Sequence, residues 1–206
     1  MSATPPYTIP PCEQRELYEM LRWLGRELAA LRMPWYLTHG TLLGAVRKGR
    51  HIAHDTDIDI ITDIGAWEAN KRALAARVAT THYHLRWKGY PPRLFFSKRN
   101  RIHVDIWFFK HLGKSGRIRE GDIFPPWWKR RAWDVNSSMI FPLASCKLEG
   151  ATYPCPRDSR GWLAGTYGAS WEMPALGHDD GMRFKTCVCG RRGTVLCEGQ
   201  CSLDRD

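Results

Sequence analysis

The stretch His54-Asp55-Thr56-Asp57-Ile58-Asp59-Ile60 decides how this chain is read. Side chains alternate between the faces of a strand, so Asp55, Asp57 and Asp59, spaced i, i+2 and i+4, are expected on one face. Like charges set side by side on a plain exposed strand repel, and a divalent cation relieves that crowding. Magnesium or manganese suits such a set, because both favour oxygen ligands from carboxylates and substrate phosphates. The glycine and distal glutamate of a calcium-binding EF-hand loop are missing. A second segment, His103-Val104-Asp105-Ile106-Trp107, sets one aspartate in the middle of an apolar strand. An acid there costs several kcal/mol unless it is paired or liganded.

Outward from these two segments, the chain reads as an α+β protein. Leu17, Leu21, Leu24, Leu28 and Leu31 recur at helical spacing and predict an amphipathic helix over 13–32, ended by Pro34. Trp35-Tyr36-Leu37 is a short strand, and Thr38-His39-Gly40-Thr41-Leu42-Leu43-Gly44-Ala45-Val46-Arg47 a small-residue turn leading into a short helix. The β-branched run Ile58 to Ile61 is a buried strand. A helix over 66–79 and strands over 82–88, 93–97 and 102–109 follow, with Gly89-Tyr90-Pro91-Pro92 and Arg99-Asn100 as turns. Residues 111–136, rich in glycine, cations and tryptophan (Trp127, Trp128, Trp133), read as loop. Beyond them come a strand-turn-strand around 141–153 and a short helix around 159–167. Three parts result: an irregular lead-in over 1–12, a domain over 13–177 and a Cys-rich tail over 178–206.

Composition narrows the class of partner. The chain has 206 residues, 43% hydrophobic and 25% charged, with a formal charge of +10. Those values exclude a disordered or fibrous chain, and no apolar run is long enough to span a membrane. The start, Met-Ser-Ala-Thr-Pro-Pro, lacks the features of a secretory signal, so a cytoplasmic location is expected. Nine of the ten surplus charges lie between residues 81 and 150. A concentration of charge around the strand bearing Asp105 suits a phosphorylated ligand held at one place better than a chain-wide nucleic-acid footprint.

Gly40-Thr41, then fifteen residues, then Asp57-Ile58-Asp59, then a separate strand bearing Asp105, resembles the pattern of the DNA polymerase beta-like nucleotidyltransferase fold, a mixed sheet flanked by helices. More narrowly, the runs 36–47 and 52–60 resemble the signature of the LicD family, which includes fukutin and fukutin-related protein. His103-Val104-Asp105-Ile106 resembles that family's third-aspartate strand. Tyr153-Pro154-Cys155-Pro156, Leu163, Tyr167-Gly168, Trp171 and Pro174 resemble its closing motif. The family's pattern differs only mildly at His54-Asp55-Thr56, and the aspartate register is intact.

The resemblance implies a magnesium-dependent enzyme that moves a phospho-alcohol, such as phosphocholine or ribitol phosphate, from a CDP-activated donor to a hydroxyl of a glycan or cell-surface polymer. It implies Asp57 and Asp59 as the main metal ligands, Asp105 as a further ligand or as base for the acceptor hydroxyl, and Asp55 as a ligand through water or an orienting group. Gly40 and Thr41 would offer donors to the phosphate at a helix N-terminus, with Arg47, Lys48 and Arg50 placed for a pyrophosphate. His39, His51 and His54 flank the motif and read as packing or hydrogen-bonding partners. Trp107, Phe108 and Phe109 read as core, and Trp127 and Trp128 beside Lys129-Arg130-Arg131 as a packed loop or a stacking platform.

Seven cysteines rule out complete pairing within the chain. Cys187, Cys189, Cys197 and Cys201 could close a tetrahedral zinc site, form disulfides or remain thiols, while Cys12, Cys146 and Cys155 read as structural or incidental. Two other functions fit parts of the pattern. A nucleotidyltransferase would use the same triad to move a nucleoside monophosphate. A nucleic-acid-binding module would use the basic middle and the tail, but has no need of four aspartates in this register.

Overall fold

The computed structural model describes residues 11–53, 55–98, 102–121 and 132–173. His54, the Trp127–Trp128 loop and the four tail cysteines, with the zinc and stacking readings that fall on them, lie outside the described residues.

Helix α1 spans Pro11–Ala30 and buries Leu17, Met20, Leu21, Leu24 and Leu28 completely. It starts inside the expected lead-in and stops two residues before the expected end. The stop is a Schellman turn: the Arg32 N–H donates to Ala29 O at 3.0 Å and the Met33 N–H to Leu28 O at 2.8 Å. Arg32 occupies the left-handed position, φ 53°, where glycine is usual.

Strands β1 (Trp35–Leu37), β2 (Asp57–Asp63), β3 (His84–Arg86), β4 (Arg93–Phe95), β5 (His103–His111), β6 (Arg117–Gly121) and β7 (Ala132–Asn136) form one seven-stranded sheet. Its main order is β1-β2-β5-β4-β3, and β6 and β7 continue from β5. Only β2 and β5 run parallel, so the sheet is mixed. β4 pairs with residues 103–105 of β5 and β6 with residues 108–111, so the two share the length of one strand.

The loop expected over 111–136 is corrected by β6 and β7. The alternation that marks β6 is disguised by Glu120, which is completely buried beside the equally buried Ile118. Its carboxylate accepts from the Tyr36 hydroxyl and, at 2.7 Å, from the Trp162 indole N–H. A buried acid so paired satisfies the rule that interior polar groups find partners.

Helix α3 (Ile64–Val78) begins at Asp63, which caps it by accepting from the Ala66 N–H at 2.8 Å. It lies with α1 over the face that buries Ile58, Ile60, Val104, Ile106 and Phe108; Trp67 meets Phe108 at 5.3 Å between ring centroids. By alternation, Asp57, Asp59, His103, Asp105 and Trp107 turn to the opposite face. There α2 (His39–Lys48) packs on β2.

After the short α4 (Ser137–Ile140), β8 (Ala144–Leu148) and β9 (Ala151–Cys155) make a separate hairpin, followed by α5 (Ser159–Tyr167). The hairpin turn places Glu149 and Gly150 at φ 48° and 78°, the pattern of a type I′ turn. A disulfide joins Cys146 to Cys155, with Cα atoms 5.9 Å apart. Among the described residues no helix is long and apolar enough to cross a membrane.

Candidate active site

Parallel pairing of β2 with β5 sets Asp57 opposite His103 and Asp59 opposite Asp105, which brings two distant segments to one place. Ligand atoms of Asp57, His103 and Asp105 all lie within 4.8 Å of one another, a group able to hold a metal ion. His103 Nε2 stands 3.3 Å from Asp105 Oδ1 and 3.5 Å from Asp57 Oδ2. Arg93, opposite Asp105 on β4, donates from Nε to Asp105 Oδ1 at 2.7 Å and from Nη2 to Oδ2 at 3.4 Å.

Asp59 sits beside this group and is held from three sides. The Trp107 indole N–H donates to its Oδ1 at 2.8 Å, and the Gly40 N–H donates to its carboxylate. Its own N–H donates to the Thr41 hydroxyl oxygen at 2.8 Å. Asp55 precedes the strand and reaches the cluster from a loop, so only Asp57 and Asp59 of the three expected aspartates share β2. Its N–H donates to Ile52 O at 2.9 Å, and the ring Nε2 of His51 lies 2.8 Å from its carbonyl oxygen.

Burial first, then the charges of Asp57 and Asp59, push the Asp55 carboxyl well above the ordinary carboxylate range. Asp59 is pushed the same way by burial and then Asp57, against the opposing hydrogen bonds from Trp107 and Gly40. The protein thus holds carboxyl groups closer together, and drier, than their charges favour. A hard divalent cation fits this set of oxygen donors.

The glycine at position 40 has a steric basis. A Cβ there would stand 2.5 Å from Asp55 Oδ2 and 3.8 Å from Asp59 Oδ2. Thr41 is completely buried and is engaged with the Asp59 backbone. Arg47 is turned to the closing segment, donating from Nε to Trp171 O at 2.7 Å and from Nη2 to Met173 O at 3.1 Å. Lys48 and Arg50 are exposed. His39, at φ 44°, meets Trp107 edge-on at 4.8 Å between centroids.

Four contributors were missed from sequence. His103 carries a usable signal, because two residues before Asp105 puts it on the same face. Trp107, read as core, is equally two residues beyond Asp105. Arg93 could be found only from the β4–β5 register. Glu149 could be found only from the hairpin: its N–H donates to Gly49 O at 2.9 Å and its Oε1 accepts from the His51 N–H at 2.9 Å, which ties β8–β9 to the loop carrying Asp55.

A mixed sheet that presents paired aspartates beside a helix N-terminus, with a further aspartate on the adjoining parallel strand, defines a nucleotidyltransferase-type domain. Residues 32–158 match the family model LicD/FKTN/FKRP, nucleotidyltransferase domain, and the chain belongs to that family. It is 29% identical over 167 residues to the ribitol 5-phosphate transferase FKRP of Mus musculus, and equally to that of Homo sapiens, over 77% of this chain. The match covers 32% of each relative, so the chain spans about a third of their length. The crystal structure of the lincosamide antibiotic adenylyltransferase LnuA with lincomycin bound superposes with a TM-score of 0.46 at 14% identity, covering 76% of this chain and 86% of that one.

Proposed function

We propose that this chain is a phosphotransferase that moves a phospho-alcohol, ribitol phosphate or a similar group, from a CDP-activated donor to a hydroxyl of a glycan or cell-surface polymer. The observation that carries the reading is the Asp57, His103 and Asp105 cluster, on strands from separate parts of the chain, beside the N-terminus of α2. Family membership and the likeness to ribitol 5-phosphate transferases support it.

Asp57, Asp105 and His103 would hold the ion, magnesium or manganese, with Asp59 and Asp55 completing the negative field around it. A bound divalent ion would neutralise phosphate charge and orient the donor for in-line displacement. Of the two roles open to Asp105, ligand and base, the ligand role fits better, because Arg93 already donates to both oxygens of its carboxylate. The acceptor oxygen forms a bond to the phosphorus bearing the alcohol. The bond from that phosphorus to the bridging oxygen breaks, CMP leaves with the electron pair, and the hydroxyl proton is released.

Incubation with Mg²⁺ and, separately, CDP-ribitol, CDP-choline, CDP-glycerol, CTP and ATP tests the reaction. CMP released from a CDP-alcohol, and lost in Asp57→Asn, supports it. Pyrophosphate released from CTP or ATP overturns it in favour of nucleotidyl transfer.

A further inference from the structure

Residues directly opposed on neighbouring strands share a face. The register aligns Asp59 on β2, Asp105 on β5, Arg93 on β4 and Arg86 on β3 in one row, and Asp57, His103, Phe95 and His84 in the next. Both rows lie on the face of the Asp57, His103 and Asp105 cluster. Along the first, charge passes from two acids to two arginines.

The two arginines are not equivalent. Arg93 is engaged with Asp105 at 2.7 Å. Arg86 is exposed, and among the described residues no carboxylate is paired with it. Its guanidinium carbon lies 5.0 Å from the centroid of the Phe95 ring. Phe95 in turn lies 5.3 Å from the ring of His103, whose Nε2 is 3.5 Å from Asp57 Oδ2. The guanidinium is thus seated at the end of a stack that begins in the cluster. Cations directly opposite one another weaken a strand pair, and an anion lying over the row would remove that cost. A planar guanidinium seated on a ring keeps its in-plane donors open, the geometry that suits a phosphate.

We propose that Arg86, seated on Phe95, binds a phosphate or phosphodiester group of the substrate separate from the phosphate being transferred. That a second phosphate is the one transferred rests on the reaction proposed above; the anion site does not. Two sources supply that chemistry, an anionic acceptor chain or the donor nucleotide.

The full chain is titrated by calorimetry with CDP and with a short glycerol phosphate oligomer, and its steady-state kinetics are followed with CDP-ribitol. Arg86→Gln weakens one of the two probes about tenfold or more, and Arg86→Lys restores part of it. The difference narrows as salt is raised, while Mn²⁺ binding is unchanged. Loss confined to the oligomer identifies the acceptor as the source, and loss confined to CDP the donor. Wild-type and Arg86→Gln chains that bind both probes equally overturn the proposal, as does a wild-type chain that binds neither. So does a fall in kcat with both affinities intact. If no CDP-alcohol yields CMP but Arg86→Gln still loses probe affinity, the proposed reaction fails and the anion site stands.

Discussion

At position 40 the missing side chain is what lets Asp55 and Asp59 approach α2, since a Cβ would meet Asp55 Oδ2 at 2.5 Å. Gly40→Ala is therefore expected to lower transfer at least about a hundredfold, the scale on which a displaced group at a reacting centre acts, with the melting temperature nearly unchanged. Turnover and thermal melts on the same preparation check this. Trp107→Phe keeps an aromatic ring but removes the indole N–H from Asp59 Oδ1, so metal affinity is expected to fall about 10- to 100-fold. A Mn²⁺ titration reads the change, and unaltered affinity would refute the positioning role. Residue-level chemistry was legible where side chains recur at strand spacing: Asp57, Asp59 and Asp105 declare themselves. Arg93 does not, because its partner lies twelve residues away and only the β4–β5 register joins them.

Elements were legible in proportion to the regularity of their apolar period. α1, β2, α3 and β5 each bury an apolar face and lie close to where their apolar period places them. β6 was not, because Glu120 occupies an interior position and its partners Tyr36 and Trp162 stand 84 and 42 residues away. Two element ends yield predictions. Arg32→Gly at the end of α1 relieves a left-handed residue and is expected to raise stability by up to about 1 kcal/mol without affecting turnover; chemical denaturation measures it. Between β6 and β7, Arg119 donates to Asp134 at 2.7 and 2.9 Å and holds its carboxyl below the ordinary range. That stabilisation is whole above the unfolded carboxyl's value of about 4 and is lost as pH falls through the lower native value. Being partly exposed, the pair contributes less than about 1 kcal/mol. Asp134→Asn is expected to flatten the acid limb of the stability profile by that amount, as urea unfolding across pH would show.

The whole molecule is assembled so that distant segments converge on one face of one sheet. β2 and β5 bring Asp57, Asp59, His103 and Asp105, α2 brings Gly40, and the β8–β9 hairpin reaches back through Glu149 to the loop carrying Asp55. Because the cluster crowds buried carboxylates whose mutual repulsion a bound cation would relieve, Mg²⁺ or Mn²⁺ is expected to stabilise the entire fold. At ten times the dissociation constant the gain is about 1.4 kcal/mol, or roughly 3–6 °C in Tm. Differential scanning calorimetry with EDTA and with added ion tests it, and coincident melts would refute metal binding by the native state. The Gly40 cradle also has a genetic consequence. No base change at the first two positions of a glycine codon yields another glycine, so every such missense change at codon 40 installs a side chain against Asp55. Saturation mutagenesis of the gene should therefore find this codon intolerant of every substitution whatever its chemistry, whereas the exposed Lys48 and Arg50 should accept replacements graded by charge.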